Sequence, residues 1–383
     1  MDVAAYHHLP TGGALRVLAE WTRRTAAERV TVYTPDPAVH AFASLAPRAR
    51  VVQVDVPGPF EGVGAALGLL RAEAAGRRVA ATIDAAGHDA AFVLPSRLTQ
   101  TPSLLRHLAT PSVYYAPEPM RSAYEDRALV FAGDDWKLRL TRAGANPIEH
   151  LRKWIDRRAA LRAPRVVTHS AFTQAELRRC YGIDSAVIRL GVDSAAFHPV
   201  QTAATDPEHP YVLSVGALHP LKGHELVIEA VGLIPSRARP PLAIVGDRGA
   251  NGSALRAAAA RAGVTLDLRT GIPFAELVAL VQRATVVACA QIREPFGLVP
   301  LEAMACARPV VAVDEGGLRE SVLPGQTGLL VPRAADAMAQ ALERLLTDGA
   351  LRERLGRAGR AEVEARWGWD RYAAELDAAL AAR

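Results

Sequence analysis

The sequence predicts an α/β protein built from two doubly wound, parallel-sheet domains of Rossmann-like form. Three observations carry this expectation. Short apolar strands alternate with helical runs along the whole chain, the pattern of βαβ units and a parallel sheet. At 383 residues the chain is long for one hydrophobic core. A polar stretch at residues 200–210, with Pro207 and Pro210, separates two series of such units. The expected domains are residues 1–203 and 204–366.

Composition is that of a globular protein: 50% of residues are apolar and 5% aromatic. The formal net charge is +5, from 45 Lys and Arg against 40 Asp and Glu. The excess lies in the first 200 residues, where 25 basic and 19 acidic side chains give +6, against 20 and 21 in the remainder, giving −1. A basic first half suits an anionic partner or membrane surface, or is a solvated Arg-rich surface. Cys180, Cys289 and Cys306 have no metal-ligand spacing and suggest a reducing, cytoplasmic setting. Cys289 and Cys306 lie in apolar runs and are expected to be packing residues. No charged-then-apolar leader opens the chain, and no apolar run approaches about 18 residues, so neither a signal peptide nor a transmembrane helix is expected. No Asp-x-Asp pair or Cys/His cluster suggests a metal. No interleaving of aromatic and basic residues suggests nucleic acid.

The first domain opens with a strand over Met1–Tyr6, the loop Leu9-Pro10-Thr11-Gly12-Gly13-Ala14, a helix over Leu15–Ala27 and a strand over Val30–Tyr33. Gly12 and Gly13 mark either a tight strand-to-helix turn or a loop approached by a ligand. Strands follow at Val51–Val54, Ala90–Leu94 and Ser112–Tyr115, with helical runs over Gly62–Gly76 and Ser103–Leu108. Ligands bind at the carboxyl ends of such strands. Glu118 and Arg121, just past Tyr115, are therefore polar candidates, or else an ion pair at a loop. Residues 136–180 hold 11 basic and 3 acidic side chains, net +8. Within them Leu151–Leu161 reads as an amphipathic helix bearing Arg152, Lys153, Arg157 and Arg158. It is an ordinary surface helix or one that lies on anionic lipid. A strand over Val166–Ser170 then meets a helix whose Thr173 and Glu176 have capping-box spacing.

The second domain opens with a strand over Tyr211–Gly216, a loop through Lys222-Gly223 and a helix over Glu225–Leu233. Strands are expected at Pro241–Asp247, Val264–Leu268, Thr285–Ala290, Val310–Ala312 and Thr327–Val331. Helices are expected at Ser253–Ala262, Phe274–Ala284, Ala335–Leu346 and Leu351–Arg366. The chain is organised around Arg293–Val331. Pro295 and Gly297 argue against helix at its start, whereas Leu301–Ala305 argue for one. Glu294 thus sits in a loop and Glu302 inside the helix that follows. Eight residues of mostly helical rise put the carboxylates about 10–12 Å apart, comparable to the span of a nucleotide-sugar from hexose to ribose. A diphosphate between them would face the N–H groups near Phe296, Gly297 and Leu298, at the positive end of the helix dipole. Gly297 would let backbone approach it.

With Phe296, Gly297, Ala303, Pro309, Val310, Gly316-Gly317, Glu320 and Gly328 in register around Glu294 and Glu302, this stretch resembles the donor-site signature of glycosyltransferase family 4. The resemblance implies a GT-B fold, two Rossmann-like domains facing across a cleft, and retaining transfer of a hexose-type sugar from a nucleotide-diphosphate sugar. It covers nearly the whole chain and is strongest from Gly216 to Val331. It implies that Glu302 holds the ribose hydroxyls and Glu294 the hexose hydroxyls. Lys222-Gly223, with Gly216 before it, matches the loop whose cations neutralise the departing diphosphate. Ala217 stands where the family has an arginine; His219 or Arg248 are candidates to replace it. Ile272 lies in the loop that reads the base, and Gly12-Gly13 matches a loop near donor phosphates and acceptor. Tyr114-Tyr115-Ala116-Pro117-Glu118-Pro119 is similar to a family run that carries a histidine, but Pro117 fills that slot. Gly191-Val192-Asp193 before Phe197-His198-Pro199 also fits. So does a final helix over 367–383 that returns to the first domain. The implied chemistry is a front-face displacement in which a donor phosphate oxygen takes the acceptor proton, with no metal and no cofactor besides the donor. The acceptor is left open among glycan, lipid-linked and small-molecule classes. The segment 136–180 is a candidate for peripheral contact with an anionic inner-membrane face. Two other readings stay open: a catalytically silent nucleotide-sugar-binding or accessory subunit, which Ala217 and Pro117 favour, and an epimerase or phosphorylase on the same scaffold.

Overall fold

The computed structural model describes residues 1–10, 12–41, 43–57, 65–125, 146–200, 210–246 and 251–382. Thr11, residues 136–145 of the basic segment, most of the expected linker and Arg248 lie outside this set. The described residues form two compact units. One takes the chain up to Leu190 together with 369–382, and the other takes 191–368.

In the first unit the strands are β1 (Asp2–His8), β2 (Arg29–Thr34), β3 (Ala49–Gln53), β4 (Ala90–Ser96), β5 (Ser112–Tyr115), β6 (Val166–Thr168) and β7 (Ala186–Val187). They form a parallel sheet in the order β3-β2-β1-β4-β5-β6-β7. Every residue of β4 and β5 is buried, as strands covered by helices on both faces must be. The covering helices include α1 (Gly13–Arg24), α2 (Ala65–Ala85), α3 (Arg121–Tyr124), α4 (Asn146–Ala160) and α5 (Ala171–Tyr181). Trp21 of α1 meets Phe92 of β4 edge-on, with ring centroids 5.1 Å apart.

The second unit repeats the plan. Its strands β8 (Val212–Val215), β9 (Leu242–Gly246), β10 (Leu266–Thr270), β11 (Val286–Cys289), β12 (Val310–Val313) and β13 (Gly328–Val331) form a parallel sheet ordered β10-β9-β8-β11-β12-β13. Its helices are α6 (His224–Leu233), α7 (Gly252–Ala262), α8 (Phe274–Arg283), α9 (Leu298–Ala305), α10 (Leu318–Ser321), α11 (Ala335–Thr347) and α12 (Gly349–Arg366). The order reverses between β8 and β11, the position at which open α/β sheets take their ligands. All three cysteines are buried. Among the described residues no helix is long and apolar enough to cross a membrane.

The last helix, α13 (Trp369–Ala381), belongs to the first unit. Asp377 accepts hydrogen bonds from Trp21 Nε1 (2.8 Å), Thr25 Oγ1 (2.7 Å) and the Ala26 N–H (2.8 Å).

By chain contacts the change of unit falls at Leu190/Gly191, and two details of local structure differ from the sequence reading. The segment after Gly191 is held by second-unit groups: Val192 N–H donates to the Trp367 carbonyl at 2.9 Å, and Phe197 packs on Phe274 at 5.6 Å. Helix α2 spans Ala65–Ala85 and so runs well past Gly76; residues 62–64 of the expected run lie outside the described residues. Gly76 is a packing glycine, since a Cβ there would lie 2.2 Å from Ser103 Oγ. The Ser103 segment is a single 3-10 turn, Ser103–Arg106.

Candidate active site

Strands β8 and β11 pair directly, Val286 with Val212 and Val287 with Leu213, so the loops at their carboxyl ends are neighbours. The β8 loop passes Gly216 and Ala217 into a 3-10 turn, Pro220–Lys222, capped by His219, whose Nδ1 accepts from the Leu221 N–H at 3.2 Å. Gly223 ends the turn in the left-handed region at φ +68°, and a Cβ there would lie 1.9 Å from the Ala290 carbonyl oxygen. Only glycine fits. The Ile292 N–H donates to the Leu221 carbonyl at 2.8 Å, so backbone contact ties the β11 loop to the β8 loop.

These ties bring two of the expected site residues together. Lys222 Nζ donates to Glu294 Oε2 at 2.8 Å, with the side chains 31% and 18% exposed. The Lys222 stem runs along Gly216, where a Cβ would sit 3.2 Å from Lys222 Cγ. On the far side, Gly316 and Gly317 press on the Glu294 loop, and the Gly317 N–H donates to the Glu294 carbonyl at 2.7 Å. A Cβ on Gly316 would lie 2.5 Å from that same carbonyl oxygen.

Past Glu294, Phe296 is buried against Trp367, ring centroids 5.6 Å apart. Gly297, at φ +96°, is the N-cap of α9, and no side chain caps the helix start at Leu298. A Cβ at Gly297 would lie 2.7 Å from Leu318 Cδ2. Glu302 lies within this eight-residue helix and is 4% exposed. Ile272, half-buried, follows the edge strand β10 at the same end of the sheet. Ala217 leaves the β8 loop without the family arginine, and His219 uses Nδ1 as the turn cap.

The remaining expected residues lie in the first unit. Gly12 precedes α1 and Gly13 is its first residue; a Cβ at Gly12 would have nothing within 4 Å. Past β5, Arg121 Nε bonds Glu125 Oε2 at 2.7 Å, so the ion pair at this loop includes Glu125. Glu118 is half-buried in the same loop.

Several groups at these strand ends were not singled out as site residues from the sequence. Tyr115 Oη lies 2.8 Å from His169 Nδ1, both buried, which sets a histidine one strand over from Pro117. His7 Nε2 lies 3.2 Å from His40 Nε2. Burial, with His40 adding to it, pushes His7 down to about 3, and burial pushes His8 down to about 4. Both imidazoles are therefore neutral at physiological pH. Arg333, the residue that joins the ends of β11, β12 and β13, was missed as well. A lone Arg after a short strand carries no sequence signal.

The fold and the site together define a class: a GT-B protein with two parallel-sheet Rossmann-like units and its candidate donor site at the switch point of the second. The model for Glycosyltransferase Family 4 matches residues 11–196 and that for Glycosyl transferases group 1 matches residues 200–362. The chain belongs to this glycosyltransferase family. It is 36% identical over 254 residues to a D-inositol 3-phosphate glycosyltransferase of Pseudarthrobacter chlorophenolicus, covering 61% of this chain and 60% of the relative. It is 33% identical over 245 residues to an alpha-maltose-1-phosphate synthase of Mycobacterium tuberculosis, covering 56% and 62%. The matches thus span about three fifths of these curated relatives. Among solved structures, sucrose-phosphate synthase from Thermosynechococcus elongatus superposes with a TM-score of 0.75 at 23% identity, covering 99% of this chain and 98% of that one. Anabaena HepE, solved with UDP and glucose, gives 0.76 at 19% identity and full coverage of both chains. At these identities the likeness is one of fold.

Proposed function

We propose that this protein transfers a hexose-type sugar, with retention, from a nucleotide-diphosphate sugar to an acceptor, without a metal ion. The Lys222–Glu294 pair at the switch point, beside the N-terminus of α9, is the observation that carries this reading. When donor binds, the Lys222 ammonium exchanges the Glu294 carboxylate for a phosphate oxygen, and the first-turn N–H groups of α9 face the rest of the diphosphate. Glu294 then accepts hydrogen bonds from hexose hydroxyls, and Glu302 accepts them from the ribose. The acceptor oxygen attacks the anomeric carbon on the face the diphosphate leaves. The carbon–phosphate-oxygen bond breaks, and the acceptor proton passes to that departing oxygen. Charge developing on the leaving group meets a cation and helix dipole already in place.

The basic first half, +6 over 200 residues, favours an anionic acceptor. Two of the relatives are named for an inositol phosphate and a maltose phosphate, which makes phosphate-bearing polyols and sugars the first acceptors to test. Helix α4 adds a surface for anionic lipid. Trp154, Arg157 and Arg158 of α4, and Leu161 and Arg162 in the turn after it, are exposed, and the Arg158 guanidinium lies 4.5 Å over the Trp154 ring.

The test is thermal unfolding of the wild type and Glu302→Ala with UDP-, GDP-, ADP- and dTDP-sugars, with and without a chelator. HepE has been solved with UDP-glucose, so that donor comes first. One nucleotide stabilising the wild type but not the variant, chelator or not, supports the proposal. No shift at millimolar donor overturns it in favour of an accessory subunit, the reading that Ala217 and Pro117 favour.

A further inference from the structure

Two charged residues of the candidate site, Lys222 and Glu294, hang from one short segment, Ala290–Ile292. The Ala290 carbonyl seats Gly223, the residue after Lys222. The Ile292 N–H holds the Leu221 carbonyl, the residue before Lys222, at 2.8 Å. Glu294 follows two residues on. A displacement of this segment therefore moves the ammonium and the carboxylate together.

One side chain grips that segment. Arg333, just past β13, donates from Nη1 to the Ala290 carbonyl at 2.8 Å and from Nη2 to the Gln291 carbonyl at 2.7 Å. Its other edge is bidentate on Glu315, just past β12, with Nε to Oε1 and Nη2 to Oε2 both at 2.8 Å. Glu315 also accepts from the backbone N–H of Arg293. Arg293 is one of two non-glycine residues with positive φ among those described, at +48°, and it immediately precedes Glu294. Such a conformation costs roughly 1–3 kcal/mol and persists only where the surroundings enforce it. The guanidinium fork spans three strand ends, which a lysine ammonium cannot match in geometry.

We propose that Arg333, acting through Glu315, is a positioning residue for sugar transfer: it fixes the Ala290–Ile292 segment and the left-handed Arg293, and so sets Lys222 and Glu294 against the reacting bonds. This rests on the reading of Lys222 and Glu294 given above. Arg333 touches neither the sugar nor the base in that reading, so its loss strikes turnover much harder than nucleotide binding.

The test compares wild type, Arg333→Ala, Arg333→Lys, Glu315→Gln and Glu302→Ala. Two readouts are taken: nucleoside diphosphate affinity by calorimetry, beginning with UDP, and turnover as nucleoside diphosphate released from the sugar donor. A misplacement of about 1 Å at a reacting centre costs on the order of 100-fold. Arg333→Ala should therefore lose about 30- to 100-fold in kcat, with nucleotide affinity within about fivefold of wild type. Guanidinium ion at tens of millimolar, on the order of what fills such a vacated fork, should restore part of that turnover but none in Glu302→Ala. Glu315→Gln should show the same split more weakly. Should Arg333→Ala not fold, Arg333→Lys carries the test, because it keeps the charge and loses the fork. Equal loss of affinity and turnover, or turnover within threefold of wild type in the folded Arg333 variant, overturns the proposal. A wild type that neither binds nor turns over any donor instead overturns the functional reading beneath it, so the two failures are distinguishable.

Discussion

Replacing Gly316 with alanine tests whether close backbone approach, and not the charges alone, sets the site. Gly316 has φ +58°, and an added Cβ would lie 2.5 Å from the Glu294 carbonyl oxygen and 2.9 Å from its nitrogen. Ordinary contact begins at 3.4 Å, so the Glu294 backbone must retreat by about 1 Å or the glycine loop must shift as far. The left-handed conformation costs a non-glycine residue about 1 kcal/mol, and overpacking adds about 1–3 kcal/mol. The sum is about 2–4 kcal/mol, or roughly 5–12 °C in Tm for a unit of this size. Turnover should fall about 100-fold, because the displaced atom belongs to Glu294 itself. Gly325→Ala is the control. Gly325 has φ +71° but nothing within 4 Å of the added Cβ. It should lose only about 1 kcal/mol and keep its turnover. The assay is thermal unfolding alongside nucleoside diphosphate release from the sugar donor. If Gly316→Ala matches Gly325→Ala in both, the Glu294 loop is not held by this contact and the reasoning fails.

Lys222→Ala should lower kcat by about 10²- to 10³-fold, as expected for removing one preorganised stabiliser of developing charge. It should change stability by less than about 1 kcal/mol, because the pair with Glu294 is partly solvent-screened; steady-state kinetics and melting curves check both. Asp156 of α4 is fully buried, accepts from the Thr101 N–H at 2.7 Å and from the Tyr181 hydroxyl, and burial pushes its carboxyl up to about 6 from 3.8. The folded chain then holds a proton that the unfolded chain releases, so stability falls as pH rises from about 4 through about 6, by up to about 3 kcal/mol. Asp156→Asn should flatten that slope in denaturant titrations compared at pH 4.5, inside the window, and pH 7.5, above it. On α4 and the turn that follows it, reversing Arg157, Arg158 and Arg162 to glutamate should weaken co-sedimentation with phosphatidylglycerol vesicles by about 100-fold or more, at about 1 kcal/mol per charge. Wild-type binding that is equally strong on neutral phosphatidylcholine, or unaffected by the reversals, would remove anionic lipid as the occupant of this face.

What the sequence made legible follows from which interactions are local. Central strands such as β4 and β12 are buried on both faces, so they show as continuous apolar runs at Ala90–Leu94 and Val310–Ala312. The loop-then-helix placement of Glu294 and Glu302 was legible because Pro295, Gly297 and the Leu301–Ala305 run act on their own backbone. Glycine was legible as a position and not as a function. Gly76 reads like a helix end, yet α2 runs through it, and the position is glycine because Ser103 occupies the space a side chain would take. Gly223, Gly316 and Gly317 each press on backbone of the Ala290–Phe296 segment, and no local rule names what a glycine will approach. The Lys222–Glu294 bond joins residues 72 apart, and Arg333 reaches carbonyls 42 and 43 residues away. The partners of the segment after Gly191 are distant for the same reason. Prolines mark where the chain is polar, whereas Val192 and Phe197 are assigned by partners near residues 274 and 367. The residues proposed to do the chemistry carry a sequence signature because a ligand would dictate their type and spacing. Those that aim them need only reach a carbonyl or leave a gap, and many local sequences can do either.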